Sequence, residues 1–424
     1  MGTRLFIGFL HLYFAFSVAL CFYFYQYDFF VDGILVSEVM LISSSIPCLL
    51  FSRGIRIKFS GPILFYYFIS LLLFFLSISI SNSNFPLVPF WKVVSRLIRY
   101  GAYAILILIV SDNSPFRNKE TNLMLKIYKI FCYLFAIYAI IQALVYMVSH
   151  YMLPANILPI SWSRDVDTEV MLLQAQSYYF RGFGPFQEPS YLSKFLLPGF
   201  AFSLMGWTNN MKIKTDWKLA IIILGAIFLS TSVQGMLISG ITICMYFFDY
   251  KKSHSISKLL MISLILIVSC VFLFSNIPSV ALDRIHALFN GQDYGYSTGM
   301  RLFRGFAFWY KMPFVFKIFG TGLGNMGNFA IVYDIFTNFD YAFRDANFLE
   351  YGSGISLVLV QTGIIGLSII SYWFYRSFKY LNFTGKIILV QFILVLLSGA
   401  TLFSALSVFY CSLIFINRKE INNL

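Results

Sequence analysis

The sequence predicts an all-α integral membrane protein with about twelve transmembrane helices. Three observations carry that reading. First, the 424 residues are 59% hydrophobic and only 12% charged, with a mean hydropathy of +0.77. A soluble domain has no interior large enough for so much apolar surface. Second, the chain divides into apolar runs of about 17–25 residues, the length that crosses a bilayer as a helix. Third, Lys and Arg collect in the short connections between alternate runs, the bias that orients a polytopic protein. The net charge of +13 is therefore spread along the chain and makes no nucleic-acid patch.

Taken in order, spans are expected at 5–27, 34–52, 62–81, 91–111 and 127–149. Arg53, Arg56 and Lys58, then Arg117, Lys119 and Lys126, place the loops beside them inside. Asp28 to Gly33 and Ser81-Asn82-Ser83-Asn84 are outer turns. Further spans fall at 189–207, 218–231, 235–249, 258–275 and 354–374. The stretch 387–417 is too long for one crossing and is split near Ser398-Gly399-Ala400 into two. The first run follows Arg4 with no small-residue cleavage site and reads as a retained span. The whole chain, 1–424, is one polytopic domain with both termini cytoplasmic. Two long outer segments interrupt it, at 150–187 and 276–352.

Other classes are disfavoured. Cys21, Cys48, Cys132, Cys244, Cys270 and Cys411 each lie in an apolar run, without metal-ligand spacing. The pair Asp165-Val166-Asp167 is an isolated acidic patch, so neither a metal nor any other cofactor is expected. Spans one to five do not echo eight to twelve, unlike the halves of many secondary transporters. No inner loop carries a nucleotide-binding motif.

The chemistry-bearing residues sit at the outer side. In Arg181-Gly-Phe-Gly-Pro-Phe-Gln-Glu188-Pro-Ser, Pro189 suits the first turn of a helix because its missing N–H is unpaired there anyway. Glu188 then stands at the positive end of that helix, with Arg181 and Lys194 near the same mouth. Glu188 there is either a general base for a hydroxyl proton or a helix cap and ion-pair partner. In the second outer segment Arg284, His286, Arg301 and Arg304 precede Gly320-Thr-Gly-Leu-Gly324, and Asn347 and Glu350 close it. Arg301 and Arg304 share a helix face, and arginine grips phosphate with a planar fork. Anchoring to lipid headgroups is their alternative use. Trp309, Phe314 and Phe316 interleave with the charges, as in a segment lying on the membrane face. His286 is a second candidate base, since imidazole titrates near neutral pH. Lys92, Arg96 and Arg99 form a stripe near the outer end of the fourth span. Lys92 can snorkel to the headgroups, whereas Arg96 and Arg99 are expected to face a polar cavity.

These residues resemble the bacterial O-antigen polymerase family, within the wider O-antigen ligase and polymerase superfamily. Four features carry the likeness: Arg181 with Glu188-Pro-Ser at the start of a span; the turn in Leu229-Ser-Thr-Ser-Val-Gln-Gly-Met236; Arg304 followed by Gly320-Thr-Gly after fifteen intervening residues; and Asn347-Phe-Leu-Glu350 with Gln361-Thr-Gly-Ile-Ile-Gly-Leu367. The resemblance covers about residues 180–370. It implies a GT-C-like, metal-independent glycosyltransferase of the bacterial inner membrane. Such an enzyme joins oligosaccharide units carried on undecaprenyl diphosphate at the periplasmic face. The resemblance bears on Arg181, Glu188, Arg301, Arg304, Gly320 and Asn347; read from the residues' own chemistry, Glu188 or His286 is the expected catalytic base, with Arg181, Lys194, Arg284, Arg301, Arg304, Arg96, Arg99, Gly320 and Asn347 toward the diphosphate and glycan. It also implies membrane lipid and a polysaccharide chain-length regulator as partners. Two positions depart from the pattern. Ala346 precedes Asn347 where the ligases have histidine, which argues against a ligase and withdraws support from His286. Gln234 stands where many members have arginine. The remaining alternatives are a lipid-linked oligosaccharide flippase, which should bury charge along many spans, and the ligase itself.

Overall fold

The structure, a computed structural model, describes residues 2–29, 34–50, 57, 59–80, 90–112, 118–158, 160–161, 181–207, 216–248, 302–337 and 352–418. Among these the chain is helical, with two isolated bridges, Asp28 to Leu35 and Leu381 to Arg418, as its only extended pairing. The helices are α1 Gly2–Phe24, α2 Val36–Leu50, α3 Gly61–Ile80, α4 Phe90–Asp112, α5 Asn118–Ser149, α6 Pro189–Met205, α7 Trp217–Leu229 and α8 Val233–Phe248. Three short helices follow, α9 Arg304–Lys311, α10 Phe314–Phe319 and α11 Met326–Val332. The last are α12 Gly354–Tyr380, α13 Phe383–Leu397 and α14 Ala405–Ile416.

Three described segments are long and apolar enough to cross a membrane: Trp91–Asp112, Asn122–Ser149 and Gly354–Tyr380. Shorter apolar helices pack around them. The break between α13 and α14 falls at 398–404, where the split was expected. The expected span 258–275 lies outside the described residues. One boundary needs correcting. Lys119 and Lys126 belong to helix α5, not to a loop before it. Lysine is a good helix former, and a helix that leaves the apolar layer keeps its own hydrogen bonds in water.

At the centre stand α6 and α14. From Leu192 to Leu204, and from Ala405 to Phe415, every residue is buried. A helix that is apolar all round belongs at the middle of a bundle. Here α5, α7, α8 and α13 surround α6, and α1, α4 and α13 surround α14. Phe195 of α6 stacks on Phe409 of α14, ring centroids 5.5 Å apart and 10° from parallel. Tyr128 packs edge-on against both.

Pro198 interrupts α6 and cannot supply the N–H that the carbonyl of Lys194 would normally accept. The hydroxyl of Tyr410, on α14, donates to that carbonyl instead, at 2.9 Å. One residue along, Tyr128 donates to the Phe195 carbonyl at 2.6 Å and accepts the N–H of Gly199 at 2.8 Å. Gln391 of α13 donates to the carbonyl of Leu197 at 3.1 Å. The interrupted helix is thus completed by side chains of three neighbours.

At one end of the bundle Asp112 of α4 accepts the N–H groups of Phe59 and Ser60, at 2.8 and 2.9 Å, and so caps α3. Arg376 and Arg418 both lie over the ring of Phe59, 5.9 and 5.1 Å from its centroid. At the same end Lys129 pairs with Asp216, the N-cap of α7, at 2.6 Å. Burial pushes the Asp216 carboxyl up, but Lys129, the N–H of Leu219 and Lys218 outweigh it and hold the group below its usual value.

Two predictions follow from these ties. Tyr410→Phe removes the hydroxyl that donates to the Lys194 carbonyl and should cost about 1–3 kcal/mol, read as a lower thermal midpoint in detergent. Adding Pro198→Ala restores a backbone donor and should recover much of the loss; equal midpoints for the single and double variants would refute the account. For Asp216, a depressed folded pKa gives stability that is complete above the unfolded carboxylate value of about 3.9. That stability is lost as pH falls through the folded value. The thermal midpoint should therefore drop on acidification below about pH 4, and less steeply in Asp216→Asn.

Candidate functional site

The loop 181–188 enters the bundle beside the N-terminus of α6, and two buried glutamines hold it there. Gln142 of α5 accepts the N–H groups of Phe183 and Gly184 at 3.1 and 3.0 Å, while its amide donates to the Leu153 carbonyl at 3.0 Å. Gln26, just beyond α1, donates to the Pro185 carbonyl at 2.7 Å and accepts the N–H of Gln187 at 2.8 Å. Gln187 returns a bond to the Gln26 carbonyl at 3.1 Å. Buried amides of this kind fix a backbone that has no helical partner. Gly184 sits at φ 59°, with Leu192 and the Phe135 carbonyl close to where a Cβ would project. A larger residue there would be strained and crowded.

The turn between α7 and α8 closes on the same loop. Gly182 donates to the Leu229 carbonyl at 3.0 Å. The Arg181 Nε donates to the Thr231 Oγ1 at 2.8 Å. Ser193 of α6 bonds Ser232 at 3.0 Å, and Gly235 lets α8 approach so closely that an added Cβ would lie 2.6 Å from that of Ser193. Arg181, Glu188 and the turn at Thr231 to Gln234 are therefore grouped at the N-terminal end of α6, with Lys194 following in its first turns. The Nε2 atom of Gln234 is buried and has no hydrogen-bond acceptor among the described residues.

Glu188 is the N-cap residue of α6 by backbone position, but its side chain does not cap the helix. The carboxylate Oε2 instead accepts the Ser190 hydroxyl at 2.9 Å, and the side chain is half-buried. The capping use weighed from sequence is thus not the one adopted. Lys194 is 4% exposed, enclosed inside the bundle instead of standing at its rim, with Nζ 5.3 Å from the centre of the Tyr191 ring. A cation over an aromatic face is stabilised by the ring's quadrupole.

The other predicted residues divide. Arg304, the first residue of α9, is 0% exposed and so is enclosed instead of standing on the surface. Gly305 after it abuts Ser356 of α12, where an added Cβ would collide. Gly320 is consumed by packing. Its N–H closes α10 on the Phe316 carbonyl at 2.7 Å, and those of Thr321 and Gly322 donate to Val360 and Gln361 at 3.0 and 2.8 Å. These glycines, at φ 81° and 85°, serve the approach of the segment to the break of α12 at Gly363 and to Phe74 of α3. Arg99 does not line an interior cavity. It is exposed, and its Nε pairs with the Glu38 Oε1 at 2.9 Å. Arg96 beside it is half-buried. Arg284, His286, Arg301 and Asn347 lie outside the described residues.

Sequence reasoning missed Glu38, which accepts from Tyr103 at 3.0 Å and from the N–H of Leu35 at 3.2 Å besides pairing with Arg99. It also missed Gln26 and Gln142. Each is a lone polar residue in an apolar run, which is itself the available signal, because burial of such a group requires a partner. Helix α9 buries Arg304, Gly305 and Phe308, while Tyr310 of α9 and Phe314 and Val315 of α10 are on the surface.

The fold and the site together define a helical membrane-type bundle with a charged, glutamine-braced mouth. No known protein family matches the chain, and no curated protein matches it. The braces give a direct test. Gln142→Ala removes the acceptor shared by Phe183 and Gly184, so both amides should exchange hydrogen faster, by about fivefold for each bond lost. Unchanged exchange at these two amides would show that Gln142 does not hold the loop.

Proposed function

We propose that the protein polymerises a surface polysaccharide, an O-antigen, capsule or exopolysaccharide. In this reading it transfers a growing glycan from undecaprenyl diphosphate onto the sugar of a second lipid-linked repeat unit. The observation that supports it best is the gathering of Arg181, Glu188, Lys194 and the Thr231 turn around the N-terminus of α6. An ionised carboxylate has several acceptor sites, so Glu188, whose Oε2 accepts the Ser190 hydroxyl, is of the chemical type that takes a proton from a sugar hydroxyl. Cations beside it favour a substrate and leaving group that carry phosphate.

In the step assigned to this site, Glu188 takes the proton of the acceptor hydroxyl. The oxygen forms a bond to the anomeric carbon of the donor. The bond from that carbon to the diphosphate oxygen breaks, and its electron pair leaves with undecaprenyl diphosphate. Arg181 meets the developing negative charge, with its direction fixed by Thr231. Lys194 adds positive potential from inside the bundle, where the low dielectric lengthens its reach. The apolar helices provide the hydrocarbon surroundings that a polyprenyl tail requires. The protein in this reading spans the bacterial inner membrane with both termini in the cytoplasm.

The test uses a strain deleted for this chain and complemented with it. The intact protein should restore a ladder of polysaccharide lengths on a gel. Glu188→Gln, which keeps the shape and loses the base, should leave single repeat units at normal membrane abundance. General-base catalysis contributes about 10²–10⁴-fold, enough to erase the ladder. A full ladder in the deletion strain would end the polymerase reading, and absence of any repeat unit would favour flipping or ligation.

A further inference from the structure

An apolar groove of about 540 Å³ runs between α12 and α13. Ile355, Val358, Leu367 and Phe374 line it from α12, and Ile393 and Leu396 from α13. Leu367, Phe374 and Ile393 are half-buried and Ser371 at its edge is exposed, so the groove opens on the outside of the bundle. Helix α12 is long and apolar enough to cross a membrane. On the side of such a helix a groove meets hydrocarbon, and among the described residues Ser371 is the one polar side chain that lines it.

Cations mark one end of the groove. On α12, Phe374 and Phe378 are four residues apart and share a face. On α13, Lys386 and Ile393 are seven apart, two turns of helix, and share one too. The Lys386 Nζ stands 4.7 Å from the centre of the Phe378 ring, and so closes the groove one turn beyond Phe374. Lys379 follows Phe378 directly and is exposed, its Nζ 6.0 Å from the centre of the Tyr380 ring. Among the described residues neither lysine has a carboxylate partner. Tyr372 and Tyr375 on the same turns are 55% and 71% exposed. Exposed tyrosines and lysines at the end of a helix of membrane length mark the headgroup level. Apolar walls below that level and unneutralised ammonium groups at it match the two halves of an anionic lipid.

We propose that this groove binds an anionic phospholipid of the surrounding bilayer, with an acyl chain between α12 and α13 and the headgroup phosphate at Lys386 and Lys379. The headgroup end is remote from the mouth of α6. Helix α14 starts at Ala405, whose carbonyl accepts the Cys21 thiol in the last turns of α1, shortly before Gln26. It ends at Ile416, and the carbonyl of the next residue, Asn417, accepts the N–H of Asn382 between α12 and α13 at 3.0 Å. The 12 residues of α14, about 18 Å of helix, lie between these two contacts. The proposal does not rest on the polymerase reading, since it needs only the groove and its lysines in a bilayer.

The full chain in neutral detergent is titrated with phosphatidylglycerol, with phosphatidylcholine of the same acyl chains and with undecaprenyl phosphate, and bound adducts are counted by native mass spectrometry. Phosphatidylglycerol should be retained in preference to phosphatidylcholine. Lys386→Gln with Lys379→Gln should weaken its retention by about fivefold per lysine, and Lys386→Arg with Lys379→Arg should keep it. Ser371→Trp, which fills the groove from its exposed edge and leaves both lysines in place, should also weaken it. Lys126→Gln, which removes an exposed cation near the start of α5, should leave retention unchanged. Helix content by circular dichroism controls for folding in every variant. Equal retention of the two phospholipids overturns the proposal. So does undiminished retention of phosphatidylglycerol in Lys386→Gln with Lys379→Gln or in Ser371→Trp. Retention of undecaprenyl phosphate at the two lysines without phosphatidylglycerol would reassign the groove to a polyprenyl carrier and overturn the phospholipid as its ligand.

Discussion

Every buried backbone polar group in an apolar bundle must find its partner inside the protein, and the structure depends on this constraint. In water an interrupted helix or an irregular loop can bond solvent. Inside α6 and the loop before it no such exit exists. Pro198 withholds one donor, and Tyr410 supplies it from another helix. The loop 181–188 has no ladder of its own, and Gln26 and Gln142 provide one. These amides and hydroxyls connect α1, α5 and α14 to the helix mouth more specifically than apolar contact alone. Apolar packing gives compactness, but the direction of each hydrogen bond fixes which residues meet.

Close approach is the second device. Gly182 and Gly184 lie against α5, Gly235 against Ser193, and Gly320 and Gly322 against α12 and α3. Small residues let backbones come near enough for such contacts where there is no hydrophobic difference between helix and lipid. The glycine-rich segment 320–324 is therefore an architectural joint. Its N–H groups are donated within the protein, so a glycine-rich motif does not by itself mark a phosphate cradle.

The helix mouth joins these constraints to function. Its carboxylate is held by a neighbouring serine on the same turn, and its arginine by a threonine on a different hairpin. In the transfer reaction proposed above, groups held by partners that are themselves fixed would already be oriented for reaction. Lys194 shows the cost and the use of burial together. A cation enclosed among apolar residues is expensive, and Lys194, six residues beyond Glu188, lies with its Nζ over the Tyr191 ring.

Much of this was legible in the residues alone. Apolar runs of membrane length set the helices, Pro189 marked the start of α6, and the excess apolar length of 387–417 required the break before α14. Each of these is a local property, fixed by composition and backbone chemistry within a few turns. Tertiary structure decided the rest. It enclosed Arg304, turned Arg99 outward onto Glu38, spent the glycines of 320–324 on packing and brought Thr231 to Arg181 across fifty residues of chain. Which face a charge presents depends on which helix lies beside it, and helix neighbours are chosen by contacts between residues far apart in sequence. The sequence by itself determined that there would be apolar helices and roughly where they would fall, while the packed bundle set several of their ends, as at Asn118 of α5, and decided which polar side chains would meet, because buried polar groups find partners on other elements.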